Sequence, residues 1–528
     1  MTKTITMLAL GASVGLTAMV CPTTTGAQEV QVGATFVGEV NHDISAPLSD
    51  IAIAAESSVS SGTHEVLPVR RRSGAAPAVA SETDPVIQRS GGPLVAATVG
   101  LNFDGVSNIS GFVPPDTNAS VGSTQVVETT NVSYQIFNKS SGASILGPAA
   151  VSSIWSGFAG TLCGKTTSNY SDPVVLYDKA ASRWLVTILA YNSSFTSNSE
   201  CVAVSTGSDA TLTYNRYEVS FGSSLPDYPK FGVWSDAYYA SFNIFSGGVT
   251  FLGAKVCALD RASMLAGGPS NTECFQRTTS DFSFLPSDVD GATPPATNEP
   301  DFFVELGSSP NTLELFDFHS DFATPANATF TGPTMISIAP YTQACASTGT
   351  CIPQPGISQK LDSLGDRLMH RLAWRNLGGT EHLVVNHAVK PSKAVAAVRW
   401  YDIINPDSAP AIAQQGTFTV GAISLWMGSL AMDKAGDIAL GFSASSSSVH
   451  PSILYTGRIP TDPINTMEAI AAIKLGSASQ TINRWGDYTS MAVDPIDDCT
   501  FWYANEYLAT KGSDWHTRLA TLKFPGCS

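Results

Sequence analysis

The chain has 528 residues, of which 14% are charged and 43% hydrophobic, and it contains 44 glycines and 31 prolines. This composition is typical of a loop-rich globular protein with enough apolar residues for a full core, and it excludes a disordered chain. The formal net charge is −16. The single basic run, Arg70 to Arg72, provides no face that could neutralise phosphates, so nucleic acid is excluded as a partner.

Residues 1–27 predict a cleaved signal peptide. Lys3 precedes an apolar stretch over residues 5–20, and small residues end the segment at Ala27. Lipidation of Cys21 is the lesser alternative, because the residue before it is a valine and this processing prefers a small one. No other stretch has the roughly 18 apolar residues that a membrane span needs. We therefore expect a secreted or periplasmic protein with no membrane span.

Residues 28–93 are rich in Ala, Ser, Val, Pro and Gly and show neither helical nor strand periodicity. We interpret them as a propeptide or linker. Cleavage after Arg72 is conceivable, although a basic spot in a solvated linker is the simpler interpretation of the arginine run.

The cysteines predict a disulfide framework. Nine are present, and once Cys21 leaves with the signal peptide an even number remains, as is typical of an oxidising compartment. Zinc is disfavoured because no CxxC or paired CxxH spacing occurs. We expect sequence neighbours to pair, although other pairings are open. The predicted bridges are Cys163–Cys201, Cys257–Cys274, Cys345–Cys351 and Cys499–Cys527.

Residues 94–528 predict an all-β domain. Short runs of β-branched and aromatic residues alternate with Gly, Asp, Asn, Ser and Pro, and amphipathic helical patterns are almost absent. A weak repeat of strand, short polar turn and longer strand occurs in this region. Its seven copies span residues 119–131, 173–190, 230–245, 302–318, 367–389, 429–445 and 489–507.

In six copies an aspartate preceded by a small residue, a proline or a glycine opens the unit. These openers are Asp116, Asp172, Asp227, Asp301, Asp366 and Asp487. The sixth copy has Met427 in the corresponding place. Four antiparallel strands fit units of this length, and seven such units close a ring. We predict a seven-bladed β-propeller, with six or eight blades or a two-sheet sandwich array as alternatives. The segment from Leu94 to Phe103 is expected to complete the last blade.

The openers should meet at one mouth of the ring, because the first strand of a blade lies innermost. Such carboxylates are suitable ligands for Ca²⁺, a candidate cofactor, or act as acids and bases. The structural alternative, which we favour for any single aspartate, is that each caps its own turn. The predicted metal ligands are Asp116, Asp172, Asp227, Asp301 and Asp366.

The fifth copy is unusual because it places arginines and histidines on two predicted inner strands. Strand alternation puts Arg367 and Arg371 on one side and His370 on the other. Converging arginines suit a carboxylate or sulfate, whereas ion pairs with the aspartates are an equal alternative. The predicted substrate-binding residues are Arg367, Arg371, Arg458, Arg484 and Trp485.

Cleavage of a glycan at the mouth would use a carboxylate pair for hydrolysis. Elimination would instead use a histidine and a tyrosine as base and acid beside an arginine that neutralises a uronate. The predicted catalytic residues are His370, His387, Tyr488, Asp487 and Glu506. The signatures GxSxG, HExxH and the P-loop are absent, which argues against serine hydrolase, zincin and nucleotide chemistry.

Four segments, residues 114–122, 172–186, 227–243 and 484–507, carry a family resemblance. They resemble secreted bacterial β-propeller proteins that are often described as sialidase-like or BNR-repeat-like. The resemblance covers about residues 95–528 and implies the propeller fold and export.

The leading hypothesis is therefore a secreted propeller that binds an extracellular glycan at its funnel and, in the stronger form, cleaves it as a glycoside hydrolase or polysaccharide lyase. The alternative is a noncatalytic adhesion or scaffold propeller that binds protein or a cell-surface polymer. We expect a monomer. Convergence of His370, Arg371, Asp487, Tyr488 and Glu506 in a cleft favours the enzyme, and dispersal of these residues favours the scaffold.

Overall fold

The computed structural model describes Met1 and residues 34–38, 41–51, 64–71, 84–88, 92–346, 348–391 and 395–528. Its contacts divide the chain into residues 1–32 and residues 33–528, and everything below concerns the second unit. The predicted signal peptide beyond Met1, Cys21 and Arg72 all lie outside the described residues. What the sequence predicts for them stays a prediction.

The described residues are almost entirely β-structure, so the predicted all-β class is confirmed. One α-helix, α1 (Arg261–Ala266), begins where the Asp260 side chain accepts the Ser263 N–H and ends at Gly267 in the left-handed conformation. Two short 3₁₀ turns occur at Val151–Trp155 and Pro325–Asn327. Within the described part of the chain, no helix is long and apolar enough to span a membrane.

Short strands lie in the N-terminal part of the unit. They are β1 (Thr35–Gly38), β2 (Asn41–Ile44), β3 (His64–Glu65), β4 (Ile87–Gln88), β5 (Thr98–Ser107) and β6 (Phe112–Val113). The first four fall within residues 28–93, where the sequence shows no strand pattern.

Four-stranded antiparallel meanders follow along the chain. Meander 1 consists of β7 (Asn118–Val121), β8 (Gln125–Thr130), β9 (Ser133–Asn138) and β10 (Ser144–Ala150). Meander 2 consists of β11 (Asn169–Asp178), β12 (Arg183–Tyr191), β13 (Asn198–Ser205) and β14 (Tyr214–Gly222). Meander 3 consists of β15 (Ser224–Val233), β16 (Ala237–Ser246), β17 (Thr250–Asp260) and β18 (Asn271–Gln276).

Meander 4 consists of β19 (Leu285–Val289), β20 (Asp301–Leu306), β21 (Thr312–His319) and β22 (Thr329–Ser337). A small hairpin of β23 (Thr350–Ile352) and β24 (Leu361–Asp362) comes next. Meander 5 consists of β25 (Met369–Leu377), β26 (Thr380–Val389), β27 (Ala397–Ile404) and β28 (Ala411–Phe418). Meander 6 consists of β29 (Ser424–Met432), β30 (Ile438–Ser445), β31 (Ser452–Arg458) and β32 (Ala471–Lys474). Meander 7 consists of β33 (Ser490–Val493), β34 (Thr500–Leu508), β35 (Trp515–Lys523) and β5.

The first strands of the meanders contact one another in cyclic order. Each of β7, β11, β15, β19, β25 and β29 contacts the first strand of the next meander, and β33 contacts β7 again. Meander 7 takes its outermost strand from the N-terminal side, because β5 pairs antiparallel with β35, with Phe103 opposite Leu519. This is the position that the sequence predicts for the segment ending at Phe103. The contacts therefore form a closed ring.

Three of the short N-terminal strands add to the outer strands of meanders, and the fourth, β3, pairs with β6. Strand β2 pairs with β14, and β1 pairs with β18, both antiparallel. Strand β4 runs parallel to β28, and β3 runs parallel to β6. The described parts of residues 28–93 thus pack on the meanders, and added strands protect edges that would otherwise expose unpaired backbone groups.

All four predicted disulfides are present and confirmed. Their S–S distances are 2.06 Å for Cys163–Cys201, 2.06 Å for Cys257–Cys274, 2.01 Å for Cys345–Cys351 and 1.96 Å for Cys499–Cys527. Such a set is typical of proteins that fold in an oxidising compartment.

Six of the seven predicted copies coincide with the first two strands of a meander. The copy at residues 302–318 instead coincides with β20 and β21, the second and third strands of meander 4. The first strand, β19, has the sequence LPSDV, and its proline and polar residues hide the strand pattern. Asp301 consequently begins a second strand, so its prediction as an opener at the mouth is wrong.

Candidate functional site

A left-handed residue lies within, or just before, the first strand of several meanders. Asp116, Asp172, Tyr228 and Met427 have φ values of 49°, 54°, 58° and 48°. The strand register shifts at the last three of these positions, as it does at a β-bulge. Aspartate tolerates this conformation better than most residues, which explains in part why aspartates recur here.

Four of the six openers meet at one end of the ring. Asp116, Asp172, Asp227 and Asp487 line one cavity of about 10 Å³, which is roughly the space of one water molecule. We call these four residues and their surroundings the mouth. Asp366 does not line the cavity, but its Oδ1 lies 3.0 Å from Nε of Arg367. Arg367, Arg484 and Tyr228 also line the cavity.

Asn131 ties two of the aspartates together. Its Nδ2 donates to Oδ2 of Asp116 at 3.0 Å, and its Oδ1 accepts the N–H of Asp172 at 2.8 Å. The N–H of Asp487 donates to Oδ1 of Asp116 at 2.7 Å. Burial, reinforced by the neighbouring carboxylates, raises the pKa of Asp116 well above its usual range, and burial also raises the pKa of Asp172. Both carboxyl groups therefore lose their protons at a higher pH than an exposed aspartate does.

A buried lysine lies next to the mouth, against the ring of Tyr228. Nζ of Lys230 lies 3.5 Å from the ring centroid of Tyr228 and 4.0 Å from that of Tyr488, a double cation–π contact. Burial lowers the pKa of Lys230 to about 8, although Asp172 opposes the shift. The hydroxyl of Tyr228 is buried and has no hydrogen-bond partner among the described residues. Lys230 is not among the predicted site residues. Its one signal is a charge among the apolar residues in the second half of β15.

Several predicted catalytic residues lie near Tyr488 and Gly486. The ring of His370 is 5.9 Å from that of Tyr488, and its Nε2 is 3.0 Å from Nδ2 of Asn118. Burial lowers the pKa of His370 well below its usual range. Glu506 accepts the N–H of Gly486, its Oε2 has no partner among the described residues, and burial raises its pKa to about 8. All of these side chains are buried.

His387 lies apart from the mouth. Its Nε2 is 2.9 Å from the hydroxyl of Tyr401, and its ring packs against Tyr341 at a centroid distance of 4.6 Å. Neither tyrosine lines the mouth. Burial lowers the pKa of His387 well below its usual range. Its contacts are those of a core histidine.

Of the predicted substrate-binding residues, Arg367 and Arg484 reach the mouth. Arg371 instead lies deeper in the ring, where it pairs with Asp288 at 3.0 Å and with Asp290. Arg458 donates to the carbonyl of Thr466 at 3.1 Å. The Trp485 indole is fully buried, and its Nε1 donates to Ser443 at 3.0 Å.

The expected alternation along β25 is broken. His370 and Arg371 line the same cavity of about 30 Å³ below the mouth, whereas alternation places them on opposite sides. The register of β25 against β26 shifts between Met369 and Ala373, which lets consecutive side chains face one side.

Residues 64–71 cover the mouth. Arg70 Nη1 lies 2.8 Å from Asp227 Oδ1, Arg71 pairs with Asp362, and Glu65 pairs with Arg484. The interpretation of Arg70 and Arg71 as a basic spot in a solvated linker is therefore wrong. Both guanidinium groups lie against carboxylates of the ring.

A larger pocket opens at the other end of the first strands, where each turns into the second. Its volume is about 660 Å³, within the range of small-molecule sites. We call it the turn pocket. Representative lining residues are Ser123, Tyr177, Lys179, Trp234, Lys434 and Ile496. No predicted site residue lies among those that line it.

Charged groups lie along the wall of the turn pocket. Asp178 pairs with Arg261 at 2.6 Å, and Asp498 pairs with Arg375 at 2.6 Å. Lys179 is half-buried and has no hydrogen-bond or ion-pair partner in the described part of the chain. Burial lowers its pKa, and nearby carboxylates oppose this shift.

Potential metal clusters lie elsewhere. Among the described residues, two groups bring three ligand atoms close together: Asp433 with Cys499 and Cys527, and Asp281 with Glu305 and Glu314. The two cysteines are joined in a disulfide and offer no thiolate. Neither group includes a predicted calcium ligand, so calcium binding stays a prediction.

No protein-family model matches the chain, and no curated protein matches it. Among solved structures, a Dyadobacter fermentans protein of unknown function is 10% identical, covering 68% of this chain and 96% of its own, with a TM-score of 0.29. The WD40 domain of SCAP from fission yeast is 11% identical over 76% and 82%, with a TM-score of 0.34. An exo-beta-1,3-galactanase from Phanerochaete chrysosporium is 10% identical over 81% and 99%, with a TM-score of 0.31. These low scores support no argument about function.

Proposed function

We propose that the chain is an exported seven-bladed β-propeller that binds an extracellular glycan in its turn pocket. The blade assignment is supported by the four-stranded meanders and the cyclic contacts of their first strands. Export is supported by four disulfides.

The turn pocket is the observation that carries the glycan proposal. Its 660 Å³ volume suits a short oligosaccharide, and most of its wall is apolar. The partly exposed ring of Tyr177 offers a face on which a sugar ring can stack, and Ser123, Ser182 and Ser235 offer hydroxyl groups. This mixture of apolar faces and a few polar groups is what small-ligand sites require.

The charges of the pocket favour binding over cleavage. A glycosidase needs two carboxyl groups that are free to donate a proton and to attack. Here Asp178 is held by Arg261 and by the hydroxyl of Tyr238 at 3.0 Å, and Asp498 is held by two nitrogens of Arg375. The third lining carboxylate, Asp497, pairs with Lys523 at 2.9 Å. Lys179 is available, so glycans that carry a carboxylate or sulfate should bind more tightly than neutral ones.

Cleavage at the mouth is the second candidate. It is supported by the perturbed acids around Tyr488 and Lys230, because such groups cluster at catalytic sites. The mouth is covered by residues 64–71, so this activity would appear only after that segment is displaced.

Binding of neutral, uronate and sulfated oligosaccharides, measured by calorimetry, tests the proposal. Tyr177→Ala should weaken the binding of all glycans at least ten-fold, and Lys179→Met should weaken the binding of the anionic glycans only. Lys165→Met, at an exposed lysine outside the pocket, is the matched control. Absence of glycan binding, or binding that neither pocket variant changes, would contradict the proposal. Release of reducing ends or unsaturated products would instead favour the enzyme.

A further inference from the structure

Residues 64–71 lie in the mouth and begin as a short strand that bends at Val66 and Leu67. Strand β3 pairs in parallel with β6, with His64 opposite Phe112 and Glu65 opposite Val113. The N–H of Val66 then donates to the carbonyl of Val113 at 3.0 Å. Addition of a peptide strand to a strand of the receptor is a common mode of peptide recognition.

Side chains of the ring hold the carbonyl groups of this peptide. The Tyr191 hydroxyl donates to the carbonyl of Val66 at 3.0 Å. Arg484 donates to the carbonyl of Leu67, and Arg367 to that of Arg70, both at 2.7 Å. Arg484 is 4% exposed and Arg367 2% exposed. Buried donors aimed at main-chain oxygens recognise a peptide backbone whatever its side chains.

Two side chains of the segment enter fitted sites. Leu67 is 6% exposed and packs in a cluster formed by Leu189, Tyr191, Leu225 and Phe245. Arg70 pairs with Asp227, donates to the carbonyl of Gly248 at 3.0 and 3.2 Å, and lies 5.2 Å above the ring of Phe245. These two sites select an apolar residue followed three positions later by an arginine.

The charge around the mouth favours a cationic occupant. Asp116, Asp172, Asp227, Asp362, Asp366 and Asp487 supply carboxyl groups. The ring's cations there are Lys230, Arg367 and Arg484. Acidic groups thus outnumber basic ones when the segment is excluded. Arg70 and Arg71 pair with two of the acids, and Glu65 of the segment pairs with Arg484.

We propose that the mouth is a binding site for an extended, arginine-containing peptide, which residues 64–71 occupy in cis. The site is separate from the turn pocket and does not depend on the glycan proposal. Because the segment is tethered, its effective concentration is high. A peptide from another protein therefore binds only when the segment is displaced or cut.

The test uses a fluorescent peptide, HEVLPVRR, with the sequence of residues 64–71, and measures its binding to the full chain by anisotropy. In a Leu67→Ala/Arg70→Ala variant the internal segment is weakened, so the peptide should bind at least ten-fold more tightly than to the unmodified chain. Adding Asp227→Asn to that variant should remove the gain. A peptide with alanine in the place of Arg70 should bind at least ten-fold more weakly.

Arg518→Ala, at an arginine on β35 outside the mouth, is the matched control and should leave peptide binding as it is in the unmodified chain. If the double variant does not fold, as judged by thermal unfolding, Arg70→Ala alone is measured. The proposal is overturned if a folded weakened variant binds the peptide no better than the unmodified chain, or if Asp227→Asn has no effect. It is also overturned if the weakened variant binds an oligomer of glucosamine, a cationic sugar, and does not bind the peptide.

Discussion

Nη1 of Arg70 and Oδ1 of Asp227 lie 2.8 Å apart although 157 residues separate them in the chain. The two side chains are only 9% and 10% exposed. Burial raises the pKa of Asp227 to about 7 even though Arg70 opposes the shift. This ion pair joins the N-terminal segment to the first strand of meander 3, and the segment is thereby part of the folded ring.

Asp227→Asn should release the segment locally. Loss of one partner of a buried ion pair leaves an uncompensated charge, which costs several kcal/mol, and proteases cut segments that open locally. We expect trypsin to cleave after Arg70 or Arg71 at least ten times faster in the variant, measured by mass spectrometry over time. Asp104→Asn, at an exposed partner of Arg518, should not change this rate. Equal rates in all three proteins would show that the pair does not hold the segment.

Buried carboxyl groups should make the protein less stable as the pH rises. Burial raises the pKa of Glu506 to about 8 and that of Glu128 to about 7, whereas an unfolded glutamate titrates near ~4.3. The folded state holds these protons more tightly than the unfolded state does. Their contribution to the free energy of unfolding is therefore complete below the unfolded pKa of ~4.3, and it is lost as the pH rises through the folded values of about 7 and about 8. The free energy of unfolding should therefore decrease from pH 5 to pH 8, by up to about 1.4 kcal/mol per pH unit for each such group.

Glu506→Gln should flatten this pH dependence. Glutamine keeps an oxygen that can accept the Gly486 N–H but has no proton to lose. Denaturant unfolding at pH 5 and pH 8 measures the difference for each protein. Glu314→Gln, at a partly exposed glutamate on β21, is the control and should keep the full slope. A Glu506→Gln slope equal to that of the unmodified chain would refute the assignment.

Tyr228→Phe should not destabilise the protein. The hydroxyl of Tyr228 is buried without a partner among the described residues, and an unsatisfied buried polar group costs about 1–3 kcal/mol. Its removal should leave the free energy of unfolding unchanged or raise it by about 1 kcal/mol. Tyr488→Phe is the matched variant, and it removes a long contact of 3.4 Å to the carbonyl of Pro173. Clear destabilisation by Tyr228→Phe would indicate that its hydroxyl has a partner, such as a bound water.

The disulfides should differ in how much they contribute to the free energy of unfolding. Cys499 and Cys527 are 28 residues apart, and Cys345 and Cys351 only 6 apart. Since a longer closed loop restricts the unfolded chain more, replacing the first pair by serine should cost about 3–4 kcal/mol and the second about 2 kcal/mol. Denaturant unfolding of the two double variants measures the difference. The reverse ranking would show that effects in the folded state dominate.

The hairpin pattern of the ring could be predicted from sequence because it depends on local signals. Turn residues between apolar runs mark the first hairpin of six meanders, and neighbouring cysteines pair as expected. β19 could not be found, since a strand of five residues with a proline and two polar positions resembles a loop. The short strands β1 to β4 are equally hidden, because only their partners in the ring make them strands.

The site could be predicted only in part for the same reason. Asp116, Asp172, Asp227 and Asp487 converge because they occupy similar places in a repeating unit. Arg371 does not join them, because the register shift in β25 changes the direction of its side chain. His387 does not join them either, because it packs against Tyr341 and Tyr401 in the core. Nothing local indicates that Arg70 is the partner of Asp227, since this contact depends on the path of the whole N-terminal region.

Strand β5 bears on the order in which the molecule is made. Residues 98–107 leave the ribosome before any meander, yet their hydrogen-bonding partner, β35 at residues 515–523, emerges after the other strands of all seven meanders. The early strand must therefore wait, unpaired, while about four hundred residues are synthesised between the two. An unpaired strand is prone to wrong association. If the chain is exported unfolded and folds only when both β5 and β35 are present, β5 never stands unpaired in a partly folded protein.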